Sequence, residues 1–286
     1  MKPPIFEYHR PNSLQEALSL MEKLENSKVI AGGQSLMPML NLRLTFPSNL
    51  IDLNSIEELS GISTSDDQVT INAMTRQREI EFSKIIRQRI PLMADGILNV
   101  GHRQTRNRGT IGGSLCHQDS VAELSLIALA HDAVLGIASL RGIREIGIAE
   151  FFTGFMSTSL EDGEILVFVK IKHWPQGHGW SFIEFARRDG DFAIVSAAVL
   201  VTTKGDGTIS RVSVALGGVG PYPLRVGKAE DLLLGRYPTN TLIGQAAACC
   251  AELQLFDDPN IPAWYRKQLA HELTFKAIKE AIERSA

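Results

Sequence analysis

Apolar and polar positions follow two rhythms along this chain, and the switches between them mark its elements. From Ser13 the spacing is helical: Leu14, Ala17, Leu18 and Met21 share one face, and Ser13 with Glu16 three residues on forms a capping box. A short apolar run, Lys28 to Ala31, reads as a strand halted by Gly32-Gly33, with a helix-compatible stretch from Ser35 to Leu42 behind it. Further strands are expected around Leu50–Leu53 and at Gln68–Ala73, with turn chemistry at Ser63 to Asp67 between them. Arg76 to Arg89 predicts one polar-faced helix ending before Pro91, Leu92 to Val100 a second and Ala122 to Ala130 a third, followed by a strand at Ala133–Ala138. A boundary falls near His173–Gly179. Beyond it Trp180–Arg187, Ala193–Thr203 and Ile209–Leu216 read as strands, then Thr241–Leu253 and Pro262–Arg284 as helices. A strand meander backed by helices predicts a separate α+β unit. No internal repeat of solenoid period is visible.

Composition narrows the class. The 286 residues suggest one large or two ordinary domains. Lys and Arg total 29 against 32 Asp and Glu, a net charge of −3, which argues against a nucleic-acid binder. The three cysteines, Cys116, Cys249 and Cys250, form no disulfide framework and are one short of an ordinary iron–sulfur cluster. The first ten residues lack the apolar core of a signal peptide, and the longest apolar runs are about half a membrane span. The expectation is a soluble, cytoplasmic protein without membrane insertion and without its own cluster.

Two loops carry the candidate chemistry. Ile30-Ala-Gly-Gly-Gln-Ser-Leu leads from a strand through two glycines to a helix start, and Arg108-Gly-Thr-Ile-Gly-Gly-Ser-Leu repeats the design about eighty residues later. Glycines let the backbone approach a ligand without a Cβ in the way. The amides that follow should point outward at the positive end of a helix, an anion site. A single Gly-Gly between strand and helix is more often an ordinary tight turn. The matched pair argues for the two phosphates of one dinucleotide. Neither loop is a Rossmann fingerprint, and no Gly-Lys-Ser/Thr ending suggests a P-loop.

With Asn107-Arg-Gly-Thr-Ile-Gly-Gly-Ser-Leu-Cys-His-Gln-Asp-Ser-Val-Ala-Glu-Leu and Phe185-Ala-Arg-Arg-Asp-Gly-Asp-Phe-Ala, the chain resembles the FAD-binding medium subunit of molybdenum hydroxylases. That family includes carbon monoxide, xanthine, nicotine and other N-heteroaromatic dehydrogenases. The resemblance covers essentially the whole chain. It implies an α/β plus α+β fold: a two-lobed PCMH-type FAD-binding region over residues 1–176 (lobes about 1–58 and 59–176), then a C-terminal three-stranded sheet with helices over 177–286. It implies noncovalent FAD on Ala31, Gly32, Gly33, Gln34 and Ser35, lined by Val29, Ile30 and Leu36, and on Thr110, Ile111, Gly112, Gly113 and Ser114. Glu123 takes the family's acidic position, with Asp119 as the alternative; Thr75 and Val100 match lesser contacts. Phe192 matches an aromatic beside the flavin, and Ile165 or Leu166 covers the ring. Gln118-Asp119-Ser120 departs from a common Ala-Asp-Pro, and Phe192 replaces a common tyrosine.

By the same resemblance the chain has no catalytic side chain or metal of its own. It takes electrons from 2Fe–2S clusters on a small partner and passes them to an external acceptor. A large molybdopterin subunit hydroxylates a small substrate, N-heteroaromatic by analogy, and the assembly is a dimer of heterotrimers. Rival readings are a self-sufficient FAD-dependent reductase or oxidase, and a noncatalytic nucleotide-binding protein. Three arginines in Arg103 to Arg108 suit either a phosphate or partner contact or a solvated loop, whereas His173 and His178 read as surface residues and Cys249-Cys250 as core. Cys116 reads as a buried filler, and Ser35 and Ser114 lack a nucleophile elbow.

Overall fold

The computed structural model describes residues 2–253 and 260–285. Its first lobe holds β1 (Glu7–His9), α1 (Leu14–Lys23), β2 (Ser27–Ile30), α2 (Leu36–Asn41) and β3 (Asn49–Asp52), a parallel sheet in the order β1-β3-β2. All four residues of β3 are buried, as a central parallel strand requires. Ser13 caps α1 as its sequence predicts, accepting from the Glu16 amide.

A second lobe follows: β4 (Ile62–Thr64), β5 (Gln68–Asn72), α3 (Gln77–Phe82), α4 (Lys84–Arg89), α5 (Pro91–Gly96), α6 (Arg103–Arg108), α7 (Ile111–His117) and α8 (Glu123–Ala130). Then come β6 (Val134–Ser139), β7 (Gly142–Gly147), α9 (Ile148–Phe151), β8 (Phe152–Gly154), β9 (Ser157–Thr158) and β10 (Ile165–Lys172). Its sheet, β4-β5-β10-β6-β7, is antiparallel and places the late strand β10 at the centre. The single helix expected over Arg76–Arg89 is two helices. Ser83 takes an extended backbone and its hydroxyl accepts from Ile86 N, so it caps α4 and ends α3.

The C-terminal portion is a meander of β11 (Gly179–Ala186), β12 (Ala193–Thr203) and β13 (Ile209–Gly217), extended at its edge by the two-residue β14 (Leu224–Arg225). Among the described residues, three α-helices complete it: α10 (Gly227–Leu233), α11 (Asn240–Ala248) and α12 (Ala263–Glu283). Strand β12 divides two cores. Val195, Ala197, Val199 and Val201 face the C-terminal core with Ala270, Ala277 and Ile278 of α12. Ala198 and Leu200 join the core of the second lobe with Leu126 and Ile127 of α8. Helix α8 is buried at Leu124 through Ala130, the burial expected of a helix covered on every side.

Candidate functional site

The first loop leaves β2 at Ile30 and enters α2 after Ser35. Gly33 takes φ +72°, a conformation an L side chain rarely adopts. Ser35, the N-cap of α2, makes no capping bond, and the amides of Gly33, Gln34 and Ser35 donate to no group among the described residues. Gly33 and Gln34 border a cavity of about 320 Å³ that is also lined by Ile30, Asp52, Asn54 and Arg108. Uncommitted donors at a helix start suit phosphate oxygens.

The second loop is built differently. Thr110 caps α7 through its hydroxyl, which accepts from Gly113 N at 3.0 Å. Ile111 N donates to Thr75 O, Gly112 N to Ala73 O and Ser114 N to Thr110 O. The expectation of outward-pointing amides is therefore corrected here, because α7 spends them docking on the end of β5. Gly112 is a glycine for the same reason: a Cβ would lie 2.6 Å from Ala73 Cβ. Gly113 is different, since a Cβ there would meet only its own cap, Thr110 Oγ1 at 2.8 Å, and Ala31 Cβ of the first loop at 3.5 Å.

The two loops touch. A Cβ on Gly32 would lie 2.2 Å from the Arg108 carbonyl oxygen, so only glycine lets the first loop rest on the residues leading into the second. Arg76 ties the contact by donating to Arg108 O and to Asn54 Oδ1. Asn54 in turn donates to Ala31 O at 2.9 Å, and Asp52 accepts from Asn54 N and from the Tyr8 hydroxyl. Burial, then the neighbouring Arg108, lowers the Arg76 pKa from its ordinary value. Asp52, Asn54 and Arg76 were not singled out from the sequence, whereas Arg108 was named in the arginine run before the second loop. An Asp-x-Asn at the end of a buried strand was the available signal. Arg106 lies in α6 rather than a solvated loop, and its guanidinium is held within the chain: it pairs with Glu81 at 3.0 Å and donates to the carbonyls of Val100 and Gly101.

The other expected contacts divide between cleft and core. Ala31, Gly33, Gln34, Gly113 and Ser114 keep exposed surface, while Val29 packs on the first-lobe core and Leu36 is half-buried. Thr75 is fully buried, and its hydroxyl exchanges hydrogen bonds with Gly61 N and O at 2.9 Å each. Val100 and Ile165 are buried in hydrophobic clusters. Asp119 accepts from Val121 N, and Glu123 opens α8 with a carboxyl that burial pushes up to about 7. Phe192 stands 74% exposed at the start of β12. His178 is not a surface residue; it is buried beside Trp174 and Trp180 with its Nδ1 on Pro175 O. Burial pushes the Cys116 thiol up to about 12, on the protonated side at neutral pH.

Residues 4–174 match the family model of the FAD binding domain in molybdopterin dehydrogenase, and residues 180–281 that of the CO dehydrogenase flavoprotein C-terminal domain. The chain is 38% identical to the 6-hydroxypseudooxynicotine dehydrogenase complex subunit alpha of Paenarthrobacter nicotinovorans, over 100% of this chain and 97% of that one. It is 37% identical to caffeine dehydrogenase subunit beta of Pseudomonas sp. strain CBB1, over 99% and 97%. Its fold superposes on a chain of carbon monoxide dehydrogenase from Hydrogenophaga pseudoflava with a TM-score of 0.97, at 35% identity and full coverage of both. Sequence, fold and the paired loops agree: the chain belongs to the FAD-binding medium subunits of the molybdenum hydroxylases.

Proposed function

We propose that FAD lies in the cleft between the first loop and α7, and that the chain relays electrons between partner-borne 2Fe–2S clusters and an external acceptor. One observation supports the placement: the uncommitted amides of Gly33 and Gln34 border a cavity that also reaches Arg108, the residue leading into the second loop. The residues present suit a pyrophosphate, since the nearest carboxylate, Asp52, is occupied by Asn54 and Tyr8. Bound FAD would supply the electron-transfer chemistry, and the protein its orientation and field.

In this reading Gly33, Gln34 and Ser35 hold phosphate oxygens, and Gly113 admits them. Thr110, Ile111 and Gly112 fix α7 rather than bind directly. Asp119 or Glu123 accepts from sugar hydroxyls. Phe192, with Ile165 or Leu166, covers the ring. The cleft belongs to residues 1–176, and the portion from 177 closes it. Hydroxylation belongs to a large molybdopterin subunit, and the whole is a cytoplasmic dimer of heterotrimers. The caffeine and hydroxypseudooxynicotine enzymes among its relatives support a small N-heteroaromatic or related substrate.

Purification from the native host, with flavin and metal analysis, tests this. A yellow chain with releasable FAD should co-purify with iron and molybdenum on two other chains. A colourless chain, or a yellow one turning over substrate alone, overturns it.

A further inference from the structure

One side-chain amide joins three segments that lie outside the two loops. Gln118 ends α7, the helix that opens at the second loop, and it is fully buried. Its Nε2 donates to Pro221 O at 3.3 Å, in the link between β13 and β14 of the C-terminal portion. Its Oε1 accepts from Ser157 N at 3.1 Å, on the β8–β9 hairpin of the second lobe. Pro221 offers only an acceptor and the Ser157 amide only a donor, so a carboxamide serves both where a carboxylate has no proton for Pro221 O. The backbone of Gln118 is left-handed, φ +52°, at a position where helices usually place glycine. The two hydrogen bonds account for a long side chain kept there against that preference.

The joined segments lead to Phe192. Close to Gln118 in the chain, Ser120 O accepts from Gly218 N at 3.0 Å, just past the end of β13. Gly218 takes φ +74°, and a Cβ on it would lie 2.4 Å from Ile194 O, so it rests on the start of β12, beside Phe192 in the chain. Arg266 of α12 fixes both residues, donating to Ile194 O at 2.7 Å and to Gly218 O at 2.8 Å. Tyr222, next to Pro221, stacks on Phe152 of β8 with ring centroids 6.3 Å apart. The start of β12 is thus held to the end of α7 through the Gly218–Pro221 link.

We propose that Gln118 is a positioning residue: its amide latches the C-terminal portion onto the second lobe at the end of α7, and so sets where Phe192 stands relative to the second loop. The consequence for the flavin rests on the reading above, in which Phe192 covers the ring. The latch itself needs no cofactor. Removing the amide takes this partner from Ser157 N and from Pro221 O, and lets the β13–β14 link move away from α7. The open amides of Gly33 and Gln34 belong to the other loop and keep their place.

Two variants remove the amide in opposite ways: Gln118→Met keeps the bulk, and Gln118→Gly suits the left-handed backbone and so preserves the fold. In the FAD-free protein, backbone hydrogen exchange at Ser157 and Gly218 should become roughly tenfold faster in both, the loss of one buried hydrogen bond read through local opening. Exchange at Gly112 and Ser114, at the start of α7, should stay as in the wild type. Wild-type exchange at Ser157 and Gly218 in a folded variant overturns the latch, whether or not FAD binds. With FAD added, affinity should stay within about threefold of the wild type, because the first loop is untouched. Iodide should quench the bound flavin's fluorescence more steeply than in the wild type, toward the value of Phe192→Ala. Faster exchange with wild-type quenching overturns the positioning role where Phe192→Ala itself quenches more steeply. A Phe192→Ala protein that quenches like the wild type overturns the placement of Phe192 over the ring, and a chain that binds no FAD overturns the cofactor reading. The positioning role falls with either, while the exchange result still decides the latch.

Discussion

The two Gly-Gly loops are nearly alike in sequence and opposite in use. The first leads into a helix with no cap and leaves its amides open on the cleft. The second leads into a helix capped by Thr110, whose leading amides are consumed by Thr75, Ala73 and Thr110 itself. In the proposed site one loop serves by donating, the other by standing close and small. The difference arises from what lies behind each loop. Helix α7 has the end of β5 beneath it, with Ala73 O within reach of Gly112 N, whereas α2 begins beside the cavity. A glycine pair therefore specifies close approach, and the neighbour approached decides whether it is a ligand or the protein.

This contrast can be broken at five places. Gly32→Ala should have the largest effect, because its Cβ would lie 2.2 Å from a backbone oxygen that cannot swing away. Separation of the loops should cost about 2–3 kcal/mol in denaturant melts and abolish FAD retention. Gly113→Val should abolish FAD retention while costing about 1 kcal/mol or less of stability, since only the Thr110 cap is disturbed. A folded, fully yellow Gly113→Val protein would falsify the two-loop site.

Arg76→Met leaves the Arg108 carbonyl and Asn54 Oδ1 without their donor and should cost about 1–3 kcal/mol. FAD should weaken in parallel, as the floor of the cleft loosens. The smallest pair of effects separates the loops most cleanly. Thr110→Ala should lower stability by about 1 kcal/mol through loss of its cap. Ser35→Ala removes no cap and should shift stability by less than about 0.5 kcal/mol, yet weaken FAD binding in equilibrium dialysis. Equal stability losses at both sites would show that the loops do the same work after all.

Helix α1, strand β2 and the three long C-terminal strands were legible because each carries its own periodicity or cap. The short edge strands β1 and β14 were not, since two or three residues cannot express a period. Central strand β10 escaped because Ile165–Lys172 is buried along much of its length and draws its register from β5 and β6, distant in the chain. In the site, the glycine loops were readable as motifs. Arg76 and Asn54 were not, because nothing local links them; they meet only when the two lobes close.

The sequence by itself determined the family, the two loops and the places where backbone must run without a Cβ, because glycine pairs, caps and apolar periods are local codes. Only the tertiary structure decided which loop keeps its amides open, that Thr75, Val100 and Ile165 lie in the core, and that Gln118 bonds to Pro221 and Ser157. Those outcomes depend on which group from elsewhere in the chain reaches a donor or an acceptor first, and that is set by packing across the lobes.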